Sequence, residues 1–205
     1  HSGPPILLAS ASPRRRDLLA AAGLDAVVQP AHIDEQRHEG EHPVHLARRL
    51  AASKASAAHA LYRQAHPGVE VCVLAADTVV HAREHGQGPF GATIFEKPRD
   101  RADAVAILSR LSDRWHAVTT GFCVLHGDTR LVDHVTTRVR FRPLGPALIQ
   151  HYVDSGEPMD KAGAYGIQGR GAVLVARVEG SYTNVVGLPI EAVVQTLQRL
   201  GILGP

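Results

Sequence analysis

The sequence predicts an α/β fold built on a mixed sheet. Three observations predict it. Helical and strand patterns alternate along the whole chain, with no division into an all-helical and an all-strand half. The chain opens as strand, polar turn and helix: Ile6-Leu7-Leu8-Ala9, then Ser10-Ala11-Ser12-Pro13, then a helical pattern. The run from Val69 to Ala76 is nearly continuously apolar, the pattern of a strand covered on both faces.

Each element has its own justification. Ser12 before Pro13 is an N-cap followed by an N1 residue, so a helix is expected from there through Leu18, Leu19 and Ala22. Gly23 suits its C-terminal cap. Ala26 to Gln29 can form a second strand. A polar stretch, His32 to His42, precedes an alanine-rich helix from about Pro43 to Leu61 that carries Leu46, Leu50 and Lys54. The strand from Val69 is expected to end at Asp77-Thr78. His81 to Ala92 reads as a hairpin connection or exposed loop. It holds a literal G-x-G-x-x-G match, Gly86 to Gly91, which Pro89 and the strand pattern that follows exclude as a dinucleotide site.

Thr93-Ile94-Phe95 is a short strand. Arg101 to Leu111 is a helix with Ala102, Ala104, Ile107 and Leu108 on its inner face. Ala117 to His126 and Leu131 to Arg142 form an antiparallel pair about Gly127-Asp128. Leu144 to Val153 is a helix, and Ser155 to Gly171 is Gly-rich and polar. Ala172 to Val178 is a strand. Pro189 to Leu200 is a closing helix with Ile190, Val193, Val194, Leu197 and Leu200 at helical spacing. No linker or repeat divides the 205 residues, which are expected to form one domain.

Composition mostly excludes functions. A net charge of +2 gives no electrostatic reason for a nucleic-acid-coating surface. No apolar run reaches the ~18 residues of a transmembrane helix. His1 to Pro5 is too short and polar for a secretory signal and is expected to be a disordered or expression-derived start. Cys72 and Cys123 sit in apolar runs, so buried reduced thiols in a cytoplasmic protein are expected, not a disulfide. Of the 22 basic residues only Lys54, Lys97 and Lys161 are lysines.

Four constellations could carry chemistry. In Ser10-Ala11-Ser12-Pro13-Arg14-Arg15-Arg16, two hydroxyls and adjacent guanidiniums flank a helix start, an arrangement that attracts phosphate. An ordinary N-cap followed by solvated arginines is the alternative. Asp77 stands where α/β folds place reactive groups, and can be a general base, a metal ligand or a turn residue. Asp34 and Glu35 form an acidic pair that, by itself, reads as solvated. Each retained lysine can mark a place that needs a compact ammonium, or be chance. The sequence has no G-x-S-x-G elbow and no P-loop. His32, His38, His42 and His45 lack metal-site spacing and read as a solvated surface.

Taken together, six ordered segments resemble the Maf family of nucleotide pyrophosphatases. They are Ala9 to Arg15, Ala76-Asp77-Thr78-Val79-Val80, Glu96-Lys97-Pro98, Ser155-Gly156-Glu157-Pro158, Asp160 to Gly169, and Asn184-Val185-Val186-Gly187-Leu188-Pro189. The resemblance spans about Ile6 to Leu200. It implies an elongated, two-lobed single domain over residues 1–205 with a cleft between the lobes. It also implies hydrolysis of a nucleoside triphosphate at the α–β bond, with Mg²⁺ or Mn²⁺.

By position, Asp77 matches the family's catalytic base. Arg14, Thr78 and Gln168 match residues tied to substrate choice. Ser12, Arg15, Lys54 and Lys97 match residues around the phosphates, and Glu35 with Asp77 the metal ligands. The loop to Gln168 is similar to the branch acting on dTTP and UTP. A glutamine amide can complement the uracil or thymine edge, which presents an N–H between two carbonyls. The alternatives are the branch acting on 7-methylguanosine triphosphate, whose cationic base favours a carboxylate, and a non-catalytic nucleotide-binding regulator of cell division. The resemblance further suggests a homodimer, and no nucleic acid or membrane partner is expected. The 81–92 loop departs from the family by being several residues longer.

Overall fold

The computed structural model describes residues 3–84 and 91–204. His1 and Ser2 of the expected disordered start, and residues 85–90, which hold most of the Gly86–Gly91 match and half of the longer loop, lie outside the described residues, while His81 and Ala82, expected in that loop, belong to a strand. The strands are β1 (Ile6–Leu8), β2 (Ala26–Val28), β3 (Cys72–Ala82), β4 (Thr93–Phe95), β5 (Trp115–His126), β6 (Thr129–Phe141) and β7 (Val175–Glu179). The helices are α1 (Pro13–Ala21), α2 (Pro43–Ala65), α3 (Arg101–Leu111), α4 (Pro146–Asp154), α5 (Tyr182–Val186) and α6 (Ile190–Arg199). The strand order is β2-β1-β3-β5-β6-β7, with β4 on β3. β1 is parallel to β2 and β3, while β4 on β3 and β7 on β6 are antiparallel. The sheet is therefore mixed, as expected.

The chain divides into two compact units. One is His1–Asp77, Thr120–Val135 and Gly187–Pro205; the other is Thr78–Thr119 and Thr136–Val186.

In the first unit, strand alternation sorts the core onto two faces. Ile6, Leu8, Cys72, Leu74 and Ala76 pack with Leu19, Val193 and Leu197, the faces of α1 and α6. Leu7, Ala9, Val73 and Ala75 pack with Ala51, Ala55 and Ala58 of α2. A methyl-only helix face permits close approach, and Gly121 shows how close. A Cβ there would stand 2.5 Å from the Ala47 carbonyl oxygen and 2.6 Å from the Arg48 nitrogen. Both cysteines are buried and free. Burial pushes the Cys72 thiol up to about 12 and that of Cys123 up to about 11, so both stay protonated.

In the second unit, β3 pairs β4 at Val80–Phe95, His81–Ile94 and Ala82–Thr93, the expected hairpin. Phe141, Tyr165 and His116 form a T-shaped cluster with centroids 4.6 to 5.4 Å apart, and His116 Nε2 meets the Tyr165 hydroxyl at 2.7 Å. Burial lowers the His116 pKa to about 3, so the imidazole is neutral. Asn184 is fully buried and donates to the Val118 carbonyl (3.0 Å) and to Thr137 Oγ1 (2.9 Å). Asn184 thus ties strands β5 and β6 together.

Several element bounds differ from expectation. β3 begins at Cys72, because Val69 is in a turn, its N–H donating to the His66 carbonyl at 3.2 Å. It also runs past Asp77 to Ala82, and its last three residues, Val80 to Ala82, pair with β4. α2 extends to Ala65. On α3, Ala102 is exposed and Leu111 completes the inner face. Ala172 to Leu174 belong to a 3-10 turn, so β7 begins at Val175. α5 was not expected. The histidines at 32, 38, 42 and 45 are exposed, as expected.

Gly121→Ala is expected to destabilise the protein by about 1–3 kcal/mol or more, since backbone has to move to admit one methyl. A thermal melt of the purified variant checks this, and an unchanged midpoint would contradict the close approach of α2.

Candidate active site

The candidate site begins where β1 ends. Leu8 is level with Leu74 of the parallel β3. Beyond Leu8 the chain turns through Ser10 to Ser12 into α1, while β3 continues to Asp77. Asp77 is thus inside a strand, not after one, yet it lies past the carboxyl end of its parallel neighbour. That is where open parallel sheets place ligands.

Alternation puts Asp77 on the face of Val73 and Ala75, toward α2. Lys54 lies on that helix between Ala51, Ala55 and Ala58, with its side chain 12% exposed. Its Nζ donates to Asp77 Oδ1 at 2.7 Å and meets Glu35 Oε1 at 2.9 Å. One ammonium therefore joins a carboxylate from a strand to one from a loop. Glu35, read from sequence as solvated, is exposed but held by this pair.

The loop carrying Glu35 is itself anchored. Arg49, one turn before Lys54 on α2, makes a forked pair with Glu41, Nε to Oε1 at 2.6 Å and Nη2 to Oε2 at 2.7 Å. Its Nη2 also donates to the Gln36 carbonyl at 3.1 Å. The hydrogen bond from Arg49 holds the Glu41 carboxyl down at about 2. The Asp34 carboxylate accepts the Gln36 N–H at 2.9 Å and closes the turn around Glu35. Sequence reasoning missed Arg49 and Glu41. Their one signal was an acid just before a helix with a base on its second turn.

At the start of α1, Ser12 occupies the N-cap position but makes no side-chain cap bond. Ser10 Oγ instead accepts the Ser12 N–H at 3.2 Å and an Arg15 Nη1–H at 3.1 Å. Arg15 Nε donates to the Gly187 carbonyl at 2.8 Å. Gly187 has a φ of 132°, a conformation suited to glycine. Burial lowers the Arg15 pKa, the Asp77 carboxylate raises it, Arg14 lowers it and Glu35 raises it. Arg14, Glu35 and Asp77 are thus each within electrostatic reach of Arg15. The alternative of wholly solvated arginines holds for Arg16, which is exposed and pairs with Asp17.

Thr78, Lys97 and Gln168 belong to the second unit. Thr78 follows Asp77 on β3 and so faces the opposite side of the strand. Lys97 is exposed after β4, next to Glu96, whose carbonyl accepts the Gly163 N–H at 3.2 Å. Gln168 is exposed in the Gly-rich loop. Lys161, 15% exposed, donates from Nζ to the Glu157 carbonyl and to Asp160 Oδ1, each at 2.7 Å, so it shapes that loop.

Among the described residues, no group of three or more His, Cys, Asp or Glu could hold a metal. Glu35 and Asp77 do offer two hard carboxylate oxygens around one cation. Such a pair fits Mg²⁺ or Mn²⁺, which take the rest of their ligands from water and phosphate. No described helix is long and apolar enough to cross a membrane.

A carboxylate with adjacent ammonium and guanidinium groups, past the end of parallel strands, defines a site suited to an anionic, phosphate-bearing substrate. The chain belongs to the family described as Maf-like protein, whose profile matches residues 5–200. It is similar to the dTTP/UTP pyrophosphatase of Symbiobacterium thermophilum, 46% identical over 196 residues, 96% of this chain and 94% of that one. The dTTP/UTP pyrophosphatase of Myxococcus xanthus is 47% identical over 199 residues, covering 96% and 93%. That of Aquifex aeolicus is 41% identical over 198 residues, covering 97% and 96%.

Glu41→Gln removes one arm of the fork. It is expected to speed hydrogen exchange at the Glu35 to His38 amides while leaving α2 protected. For the wild type, a depressed carboxyl pKa means the anchoring is complete above about 4.5 and is lost as pH falls through about 2. Exchange rates that the substitution does not alter would show that the loop is held otherwise.

Proposed function

We propose that the protein hydrolyses dTTP and UTP to the nucleoside monophosphate and pyrophosphate. The joining of Asp77, Lys54 and Glu35 beside Arg15 carries this reading, because it sets a carboxylate base among cations suited to a polyphosphate. Supporting it, relatives that match the chain over nearly its whole length are named dTTP/UTP pyrophosphatase.

In the reaction one water adds across the α–β anhydride. One P–O bond forms, one breaks, and a proton leaves the water. Asp77 accepts that proton. Lys54, Arg14, Arg15 and Lys97 balance the phosphate charge, the main demand of phosphoryl transfer. Ser12 and the α1 start add hydrogen-bond donors for phosphate oxygens. A divalent metal bound by Glu35 and Asp77 would supply further charge neutralisation. Gln168 reads the pyrimidine edge, and Arg14 and Thr78 contribute to substrate choice. A cytoplasmic location, a homodimer, one domain whose two units are its lobes, and a role in cell-division arrest belong to the same proposal. So does the absence of a nucleic-acid or membrane partner.

Asp77→Asn is expected to keep the fold and lose about 100-fold or more in kcat. Pyrophosphate release from dTTP, UTP, CTP and 7-methylguanosine triphosphate by the purified protein with Mg²⁺ measures this. Near-normal turnover by the variant would remove Asp77 from the role of base, and turnover of only the methylated nucleotide would assign the other branch. No turnover with any nucleotide that nevertheless binds would indicate a regulator. Lys54→Arg keeps the charge but replaces a point donor with a planar fork that cannot meet two carboxylates in the same way. It is expected to lower kcat on the order of 10- to 100-fold, and full activity in that variant would show that charge alone suffices.

A further inference from the structure

The segment from Gly166 to Gly171 contains three glycines, a composition with a high entropic cost of ordering. Its backbone is nonetheless tied at three amides to one pair of side chains. Tyr152, 2% exposed on α4, accepts the Gly166 N–H on its hydroxyl oxygen at 3.2 Å and donates to Glu157 Oε1 at 2.9 Å. Glu157 Oε1 accepts the Gly171 N–H at 3.0 Å, and Oε2 accepts the Arg170 N–H at 3.1 Å. Gln168 lies in the middle of the loop so closed.

The glycines fit this arrangement. A Cβ on Gly171 would lie on the Gly166 carbonyl oxygen and 2.8 Å from the Tyr152 hydroxyl. Gly169, directly after Gln168, has a φ of 65°, and a Cβ there would stand 3.0 Å from Glu157 Oε2. Two backbone amides and one phenol thus occupy the Glu157 carboxylate. It is committed to the loop and not to a ligand, including the cationic base for which a nearby acid could have been read from sequence.

We propose that Glu157, together with Tyr152, is a positioning residue for nucleobase selectivity, closing the Gly166–Gly171 loop so that Gln168 meets the pyrimidine edge in one fixed pose. This rests on the assignment of Gln168 to the base. A glutamine amide discriminates uracil from cytosine only if its oxygen and nitrogen are held in register with the ring, because the two bases differ in where they donate and accept. A loop that wanders keeps the glutamine but loses the register.

The test uses the full chain as Glu157→Gln, Tyr152→Phe and, as a reference, Gln168→Ala. Two quantities are read for each: hydrogen exchange at the Gly166, Arg170 and Gly171 amides, and kcat/KM for UTP against CTP. The amide introduced by Glu157→Gln sets an NH₂ against a backbone N–H, so this variant is expected to speed exchange at Arg170 and Gly171 about 10-fold or more. It is expected to lower the UTP-to-CTP ratio about 10-fold. The loss falls on UTP while CTP turnover holds, which a general loss of structure would not produce. Tyr152→Phe is expected to act likewise, with faster exchange at Gly166.

Unchanged exchange in both variants overturns the proposal. So does faster exchange with an unchanged ratio, provided Gln168→Ala does change it. An unchanged ratio in Gln168→Ala overturns the assignment of Gln168 itself, and the selectivity role with it. Failure of both variants to fold would make the pair purely structural and would also overturn it.

Discussion

The candidate site of the first unit is organised around one ammonium. Lys54 holds Asp77 and Glu35 together, and the residues around it serve that meeting. The alanine face of α2 lets the helix backbone come near enough for a lysine to end at the sheet. The parity of β3 turns Asp77 toward the helix, where its neighbours Val73 and Ala75 already pack. With Lys54 and Asp77 side chains 12% and 13% exposed, the pair is shielded more than a surface ion pair. Such a shielded charge demands a partner, and here it has two carboxylates.

A second device recurs: a charged side chain bonded to loop backbone. Arg49 reaches the Gln36 carbonyl, Arg15 the Gly187 carbonyl, and Glu157 the Arg170 and Gly171 amides. Charge-assisted hydrogen bonds to the backbone order these loops with direction as well as strength. The scarcity of lysine acquires meaning in this setting. Arginine can serve the forked and stacked roles, such as Arg49 on Glu41 and Arg138 over the Trp115 ring. Lys54 and Lys161 each converge on two oxygens from one nitrogen, a task for a compact donor.

Asp77, Arg15 and Lys54 stood out in the sequence because their residue types are unusual for their places, although each also allowed an ordinary reading until the family resemblance was drawn. An acid after an apolar run, arginines opening a helix and a lysine on an alanine face each break a local pattern. Glu35 was not legible by itself, since an acid in a polar loop looks solvated until its partner is known. Glu157 was legible only as one residue of the Ser155–Pro158 segment. Its engagement depends on amides thirteen and fourteen residues away folding back onto it.

The sequence alone determined the order and type of nearly every element, the burial of Cys72 and Cys123, and the hairpins, since periodicity, caps and turns act over a few residues. The tertiary structure decided what neighbours decide. β3 continues through Asp77 to Ala82, where β4 pairs with its last three residues, although Asp and Thr look locally like a stop. Ser12 stands at its cap without a side-chain cap bond, while Ser10 Oγ accepts its backbone N–H. Asp77 meets Lys54 because a strand's parity and a helix's approach agree at one point, and that agreement belongs to the packed sheet, not to any one segment.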